Sequence, residues 1–192
     1  QGLTGYVGSR GSTGFTGSQG TTTGRFYYFN DAVSILGYHS LAQTPSGAVE
    51  SSHTVNVAGL TTSMLTSYIS DPFDFTIIPG GAQRFVLYAR KTNAANNVEL
   101  YATLKLADNA GNILSTIGST NAAILDSIDG NPVVVYTDIV FSTTAVSIGQ
   151  RMVVEVYAIN SSANATDVVF YTEGASHYSY VITSLAAAQG PM

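Results

Sequence analysis

Between residues 54 and 183 the chain alternates apolar and polar side chains in short runs separated by turn-forming residues. The clearest run places Val98, Leu100, Ala102, Leu104 and Leu106 on one side and Glu99, Tyr101, Thr103 and Lys105 on the other. A period of two puts successive side chains on opposite faces of a strand, so this run predicts a strand with one face buried. Similar runs predict strands at 54–58, 64–70, 73–78, 84–90, 113–117, 133–141, 151–159, 167–172 and 178–183. Pro79-Gly80-Gly81, Asp108-Asn109-Ala110-Gly111-Asn112 and residues 126–132 supply the turns between them. Residues 30–50 are irregular, punctuated by Gly37 and by Pro45-Ser46-Gly47, and predict loop with short strands. About eight to ten short strands with turn chemistry between them describe an all-β chain, and most closely a jelly-roll-like β-sandwich.

At the start of the chain the period is three instead of two. Gly2, Gly5, Gly8, Gly11, Gly14, Gly17 and Gly20 recur without a miss. Strict G-X-Y spacing is the requirement of a collagen triple helix, in which only glycine fits at the crowded axis of three polyproline-II-like strands. A flexible Gly/Ser linker would have no reason to keep that period while placing Leu3, Tyr6 and Phe15 at X positions. The stem contains no proline, which predicts marginal stability and dependence on the following domain for register. At about 3 Å per residue the repeat would form a stalk of roughly 60 Å. Three chains must supply it, so the sequence predicts a homotrimer.

The repeat breaks at residues 21–24, and Phe26, Tyr27, Tyr28 and Phe29 follow at once. Four consecutive aromatics at that junction predict a neck packed around the three-fold axis, ahead of an aromatic ligand platform as the alternative. The expected organisation is a stem at 1–24, an aromatic neck at 25–30, a β-sandwich head at 31–185 and a small polar tail at 186–192. The chain begins inside a repeat, with neither an initiator methionine nor a signal pattern at Gln1, and further sequence that anchors the stalk is expected upstream.

Composition narrows the chemistry. Only 10% of residues are charged and 45% are hydrophobic, with a net charge of −5, so the clustered basic face of a nucleic-acid partner is not expected. No apolar run approaches the roughly 20 residues of a membrane-spanning helix, so membrane insertion is not expected. The absence of cysteine removes disulfides, thiolate catalysis and cysteine-ligated metals. His39, His53 and His177 read as too few and too scattered for a zinc site, leaving only the chance that three copies of His177 meet on an axis. Asp71 and Asp74 flank Pro72 ahead of a predicted strand and read as turn carboxylates instead of a general acid and base. The oxygen-rich turns at 108–112 and 126–131 have too few acids for dedicated calcium loops. Asn160-Ser161-Ser162 and Asn164-Ala165-Thr166 fit the glycosylation pattern. No catalytic motif is present, and neither an enzyme nor a cofactor is expected.

The stretch RMVVEVYAINSSANATDVVFYTEGASHYSYVIT, residues 151–183, resembles a recurrent β-domain of bacteriophage tail-fibre and virion-fibre proteins. The likeness lies in a strand of L-V-V-E-I-Y-A type, a polar loop, a second strand, and the ending Glu173-Gly174-Ala175-Ser176-His177-Tyr178-Ser179-Tyr180-Val181. Gly37-Tyr38, residues 45–50 and the glycine-repeat stem are similar to the same family, and the resemblance spans most of 26–185. It implies a trimeric, non-enzymatic fibre head in a virion, held to other virion proteins through its N-terminal side. Its exposed loops would contact a host-surface carbohydrate or receptor. The pattern often has His where Tyr180 stands and an aromatic near Gln83, so no binding residues are carried over. Residues 92–97, 107–112, 119–131 and 160–167 are the expected candidate loops, at the end remote from the stem. A bacterial collagen-like surface or spore-coat filament and, further off, a polysaccharide-cleaving enzyme remain open alternatives.

Overall fold

The computed structural model of the chain describes residues 24–186, so the glycine stem from Gly2 to Gly20 and the tail beyond Ala186 lie outside the described residues. What is described is all-β, 60% strand with no helix, in a sandwich-like arrangement. The strands are β1 (Gly24–Ile35), β2 (Tyr38–Ala42), β3 (Ser52–Val57), β4 (Thr61–Ser70), β5 (Ile77–Ile78), β6 (Gly81–Lys91) and β7 (Val98–Ala107). They continue as β8 (Ile113–Ser119), β9 (Ala123–Ile124), β10 (Val133–Phe141), β11 (Thr144–Ala145), β12 (Arg151–Asn160), β13 (Thr166–Tyr171) and β14 (Tyr180–Ala186).

Twelve of them form one hydrogen-bonded path, β3-β13-β6-β14-β1-β2-β4-β12-β7-β8, with β10 added to β6 and β9 to β7. The path folds back on itself, so that Phe29, Phe85, Leu87, Phe170 and Val181 from one half meet Tyr68, Leu100, Leu104, Val154 and Val156 from the other in a single core. β10 closes the roll: Asp138 O accepts from Asn121 N at 3.4 Å, and the Thr137 hydroxyl donates to Asn121 O. The alternation predicted in β7 is met, with Val98, Leu100, Ala102, Leu104 and Leu106 all in the core. β12 lies between β4 and β7. It is apolar in nearly every position because one face meets the core while the other carries Val153 into a small outer cluster with Ile69, Ala107, Ile35 and Tyr38.

Two segments depart from the sequence expectation. Residues 73–78 are strand only at Ile77–Ile78; Phe73 instead turns into the core, stacked on Phe75 at 4.6 Å, with its N–H donating to Gln150 O at 2.7 Å. Residues 30–42, expected as loop with short strands, are strand nearly throughout, completing β1 and supplying the whole of β2. They are joined by a two-residue hairpin in which Ile35 pairs with Tyr38 and both Leu36 and Gly37 have positive φ, 54° and 86°. A turn of that hand matches the twist of flanking strands, and leucine pays a steric cost that glycine or asparagine would not. Gly37 is the local turn signal at this hairpin, and Leu36 is the position the sequence does not announce.

Residues 25–30, expected as a neck, are the first half of β1, paired to β14 on one side and β2 on the other. Tyr27 and Phe29 point into the core, whereas Phe26 is exposed and Tyr28 half-buried on the opposite face. Phe29 is fully buried and stacks on Tyr68 at 4.6 Å, with Phe170 at 6.1 Å. Replacing Phe29 by alanine removes the ring that joins both halves of the core; it should cost about 3–5 kcal/mol in urea unfolding. A loss below about 1 kcal/mol would contradict this account of the core.

Candidate functional site

Three of the four candidate loops come together. β1 runs antiparallel to β14, and β14 antiparallel to β6. β1 and β6 therefore start at the same end, where the chain enters at Gly24. β6 ends at Lys91, roughly 35 Å away at the spacing of an extended strand, and leads into residues 92–97. Around them, Asn96 Nδ2 donates to Asn164 O at 2.7 Å, Asn97 N to Ser162 Oγ at 2.8 Å and Ser161 N to Asn97 O at 2.9 Å. The buried Lys91 ammonium donates to Asn96 O at 2.6 Å. These bonds order the loops over a cavity of about 480 Å³ lined by Lys91, Asn97, Glu99, Ile124, Asp126 and Ser161. An amine, an amide, a hydroxyl and two carboxylates, set among the aliphatic side chains of Ala94, Val98 and Ile124, can hydrogen-bond a polyhydroxylated ligand. The fourth candidate loop, 107–112, lies at the other end of β7.

The remaining sequence candidates separate. Asn160 is fully buried, and its side-chain amide donates to Val57 O, Ala58 O and Asn164 O, which removes it as a glycan acceptor; Asn164 is exposed. The oxygen-rich turns bind themselves. Asp108 accepts from Ala110 N, Asn112 N and Asn112 Nδ2, and Asp129 from Asn131 N and Nδ2. Those bonds, led by Asn112 and Asn131 respectively, hold both carboxyls below the ordinary aspartate range. Asp71 and Asp74 are exposed on the loop before β5 and line a cavity of about 180 Å³ at the chain-entry end, beside Arg25.

The outer face of the sheet carries an aromatic row that the alternation alone did not single out. Tyr136 on β10, Val86 on β6, Tyr180 on β14 and Tyr28 on β1 are successive cross-strand partners. In the next row Asp138, Arg84, Ile182 and Phe26 are partnered in the same order. Phe26, Tyr28 and Tyr180 have ring centroids 5.8–6.4 Å apart. Phe26 is 42% exposed, Tyr136 58% and Val140 76%. The only charge in these two rows is the Arg84–Asp138 pair, whose guanidinium Nε donates to Oδ1 at 2.9 Å.

A third constellation brings two histidines together that lie fourteen positions apart in sequence. Asp31 on β1 is nearly buried, its side chain 8% exposed. Its Oδ2 accepts from Ser51 Oγ at 2.8 Å and Thr172 Oγ1 at 2.7 Å, and its Oδ1 from Tyr68 OH at 3.0 Å. His53 Nε2 lies 2.9 Å from Oδ2, and His39 Nδ1 lies 3.7 Å from Oδ1. Burial opposes ionisation of Asp31, but the nearby His53 and the hydrogen bonds from Thr172 and Ser51 outweigh it and bring the carboxyl down to about 2. Burial and the Asp31 charge push the Tyr68 phenol up. Ser51 donates to the carboxylate and not to an imidazole, so the group lacks the serine-to-histidine bond that activates a nucleophile. His177 is elsewhere, its Nδ1 2.8 Å from Glu50 Oε2.

Four residues of the 173–181 ending, Glu173, Gly174, Tyr178 and Ser179, brace the surrounding segments. Glu173 is buried and accepts from Ala32 N at 3.0 Å. Gly174 has φ +120° and leaves no room for a Cβ, which would stand 2.7 Å from Glu50 Cβ. Tyr178 OH accepts from Ser46 N at 2.7 Å and donates to Asn30 Oδ1. Ser179 Oγ accepts from Tyr88 N at 2.9 Å.

Neither a protein-family model nor a curated protein sequence matches the chain. Solved structures share its fold. A CocE/NonD family hydrolase from Staphylococcus aureus superposes with a TM-score of 0.55 at 16% identity over 83% of this chain. An α-amino acid ester hydrolase does so with a TM-score of 0.58 at 9% identity over 84% of it. The chain spans 36% of the length of each hydrolase, and the likeness is one of fold.

Because three hydroxyls from separate segments terminate on Asp31, Asp31→Ala strands all three at once. It should lower unfolding free energy by about 2–4 kcal/mol. Stability within about 0.5 kcal/mol of the parent would mean the carboxylate holds nothing together.

Proposed function

We propose that the chain is the adhesive head of a virion fibre: a homotrimer on a collagen-like stalk whose jelly-roll-like heads contact host-surface carbohydrate at the end remote from the stalk. The observation that carries this reading is the position of the exposed aromatic rows. They begin on β1, the strand that follows the glycine repeat directly, and a triple helix ending near residue 24 would bring three copies of β1 side by side. Phe26, Tyr28, Tyr180, Tyr136 and Val140 then cover one another across the subunits, offsetting the cost of leaving an apolar sheet face in water.

The arrangement gives division of labour along the strands. The stalk end assembles; the cavity formed by residues 92–97, 119–131 and 160–167 faces outward. Three copies of a weak sugar site on one particle raise effective concentration and make attachment firm. The hydrolase neighbours are compatible with this reading, since they share a sandwich that amounts to about a third of their length.

Light scattering on the full chain should give three times the 20.1 kDa of one subunit. The double substitution Tyr28→Glu and Tyr180→Glu should give a folded monomer with unchanged far-ultraviolet dichroism. A parent monomer would sink the assembly. In a second measurement, the triple change Asn97→Ala, Glu99→Ala and Ser161→Ala should reduce glycan-array or host-cell binding at least tenfold, the loss of about 1.4 kcal/mol; unchanged binding would place the contact surface elsewhere.

A further inference from the structure

We propose that Asp31, His39 and His53 form a site for one divalent transition-metal ion of the zinc class, bound through two imidazole nitrogens and one carboxylate. Nothing in the fibre reading requires it. Among the described residues these are the three side chains whose ligating atoms, one from each, all lie within 4.8 Å of one another. Tetrahedral coordination at about 2.0–2.1 Å from the metal separates ligand atoms by roughly 3.3 Å. His53 Nε2 lies 2.9 Å from Asp31 Oδ2 and His39 Nδ1 3.7 Å from Asp31 Oδ1, so gathering one oxygen and both nitrogens on an ion needs side-chain shifts on the order of an ångström.

Three features favour an ion over a simple histidine–carboxylate pair. His53 Nε2 is a buried atom that makes no aligned hydrogen bond, although Asp31 Oδ2 stands 2.9 Å away. An off-line approach of this kind is what two ligands aimed at a common third point show. Secondly, the carboxylate is already oriented by Ser51, Thr172 and Tyr68, the kind of outer hydrogen bonding that holds ligating carboxylates in place. Its Oδ1 accepts from Tyr68 and has a lone pair to spare on the His39 side. Thirdly, the two imidazole rings lie with centroids 4.8 Å apart at a 57° tilt, and His39 Nδ1 stands 3.4 Å from the Asp31 backbone O, a long contact that a metal bond would replace. Two nitrogen ligands and one oxygen, with both rings partly exposed, suit zinc, cobalt or nickel and disfavour calcium and magnesium, which take oxygen.

The ion would join β1, β2 and β3. β3 ends the hydrogen-bonded path and is reached through the irregular segment 43–51. A cross-link there shortens the loop that must otherwise be closed by side-chain contacts alone. His39 is 35% exposed, which leaves room for water at the remaining coordination position.

The test uses the full chain, stripped with EDTA and dialysed. Zinc titration by calorimetry should saturate at one ion per chain and raise the thermal unfolding midpoint, and cobalt should give the visible absorption of a mixed nitrogen–oxygen site. His39→Gln and His53→Gln should each weaken zinc binding at least about 100-fold, while His177→Gln should leave it unchanged. If His53→Gln fails to fold, His39→Gln, at the more exposed ring, decides. Absence of saturable binding in the parent, or binding indifferent to His39→Gln, overturns the proposal.

Discussion

A nearly buried carboxylate must be given donors, and Asp31 obtains them from positions 51, 68 and 172, far apart in the chain. That requirement draws β1, β4, the approach to β3 and the end of β13 to one point. Glu173 repeats the device one residue along, taking Ala32 N. The two acids therefore tie the strand that enters the domain to the segment leading into the strand that leaves it. Phe29, stacked on Tyr68, continues the same connection into the core. The polar hub and the apolar core share Tyr68, whose ring packs inward while its hydroxyl reaches Asp31.

β1 consequently has three obligations. Tyr27 and Phe29 fill the core, Phe26 and Tyr28 stand on the outer face, and Asp31 organises the hub. β1 pairs with β14 and β2 on its two edges at Tyr28, and the bulge between Asn30 and Ser34 carries its pairing with β2 on to the hairpin. In the proposed trimer the outer face of β1 becomes subunit interface, so one strand would couple stalk, core and assembly. The apolar rows need such a cover, because monomeric domains rarely leave contiguous apolar faces in water.

The opposite end has a different physical character. Residues 92–97 and 160–167 are held by backbone and amide hydrogen bonds rather than by apolar burial, leaving hydroxyl, amide and carboxylate groups around the cavity. A preordered polar surface of that kind loses little conformational entropy on binding. The likeness to the hydrolases is one of fold, and a fold alone does not decide a function. The grounds for the fibre reading lie in the glycine period, the aromatic rows and the loop cluster.

The all-β class, most strand positions, the burial of alternate residues in β7 and the turn chemistry of residues 108–112 were legible in the sequence, because each depends on a period or a turn residue within a few positions. The three-residue glycine period is equally local, and it alone raised the expectation of three chains. The β1–β2 hairpin was legible only through Gly37, since Leu36 beside it adopts a conformation leucine does not favour, next to Gly111 of the 108–112 turn. The convergence of three loops on one cavity, the aromatic rows and the meeting of His39 and His53 at Asp31 were invisible for a related reason. Each is set by the order and register of strands distant in sequence, and a one-residue slip in any ladder would turn those side chains to the other face. Local pattern determined what the strands are; only the pairing of β1 with β14 and β2, and of β6 with β10, β13 and β14, decided which residues meet.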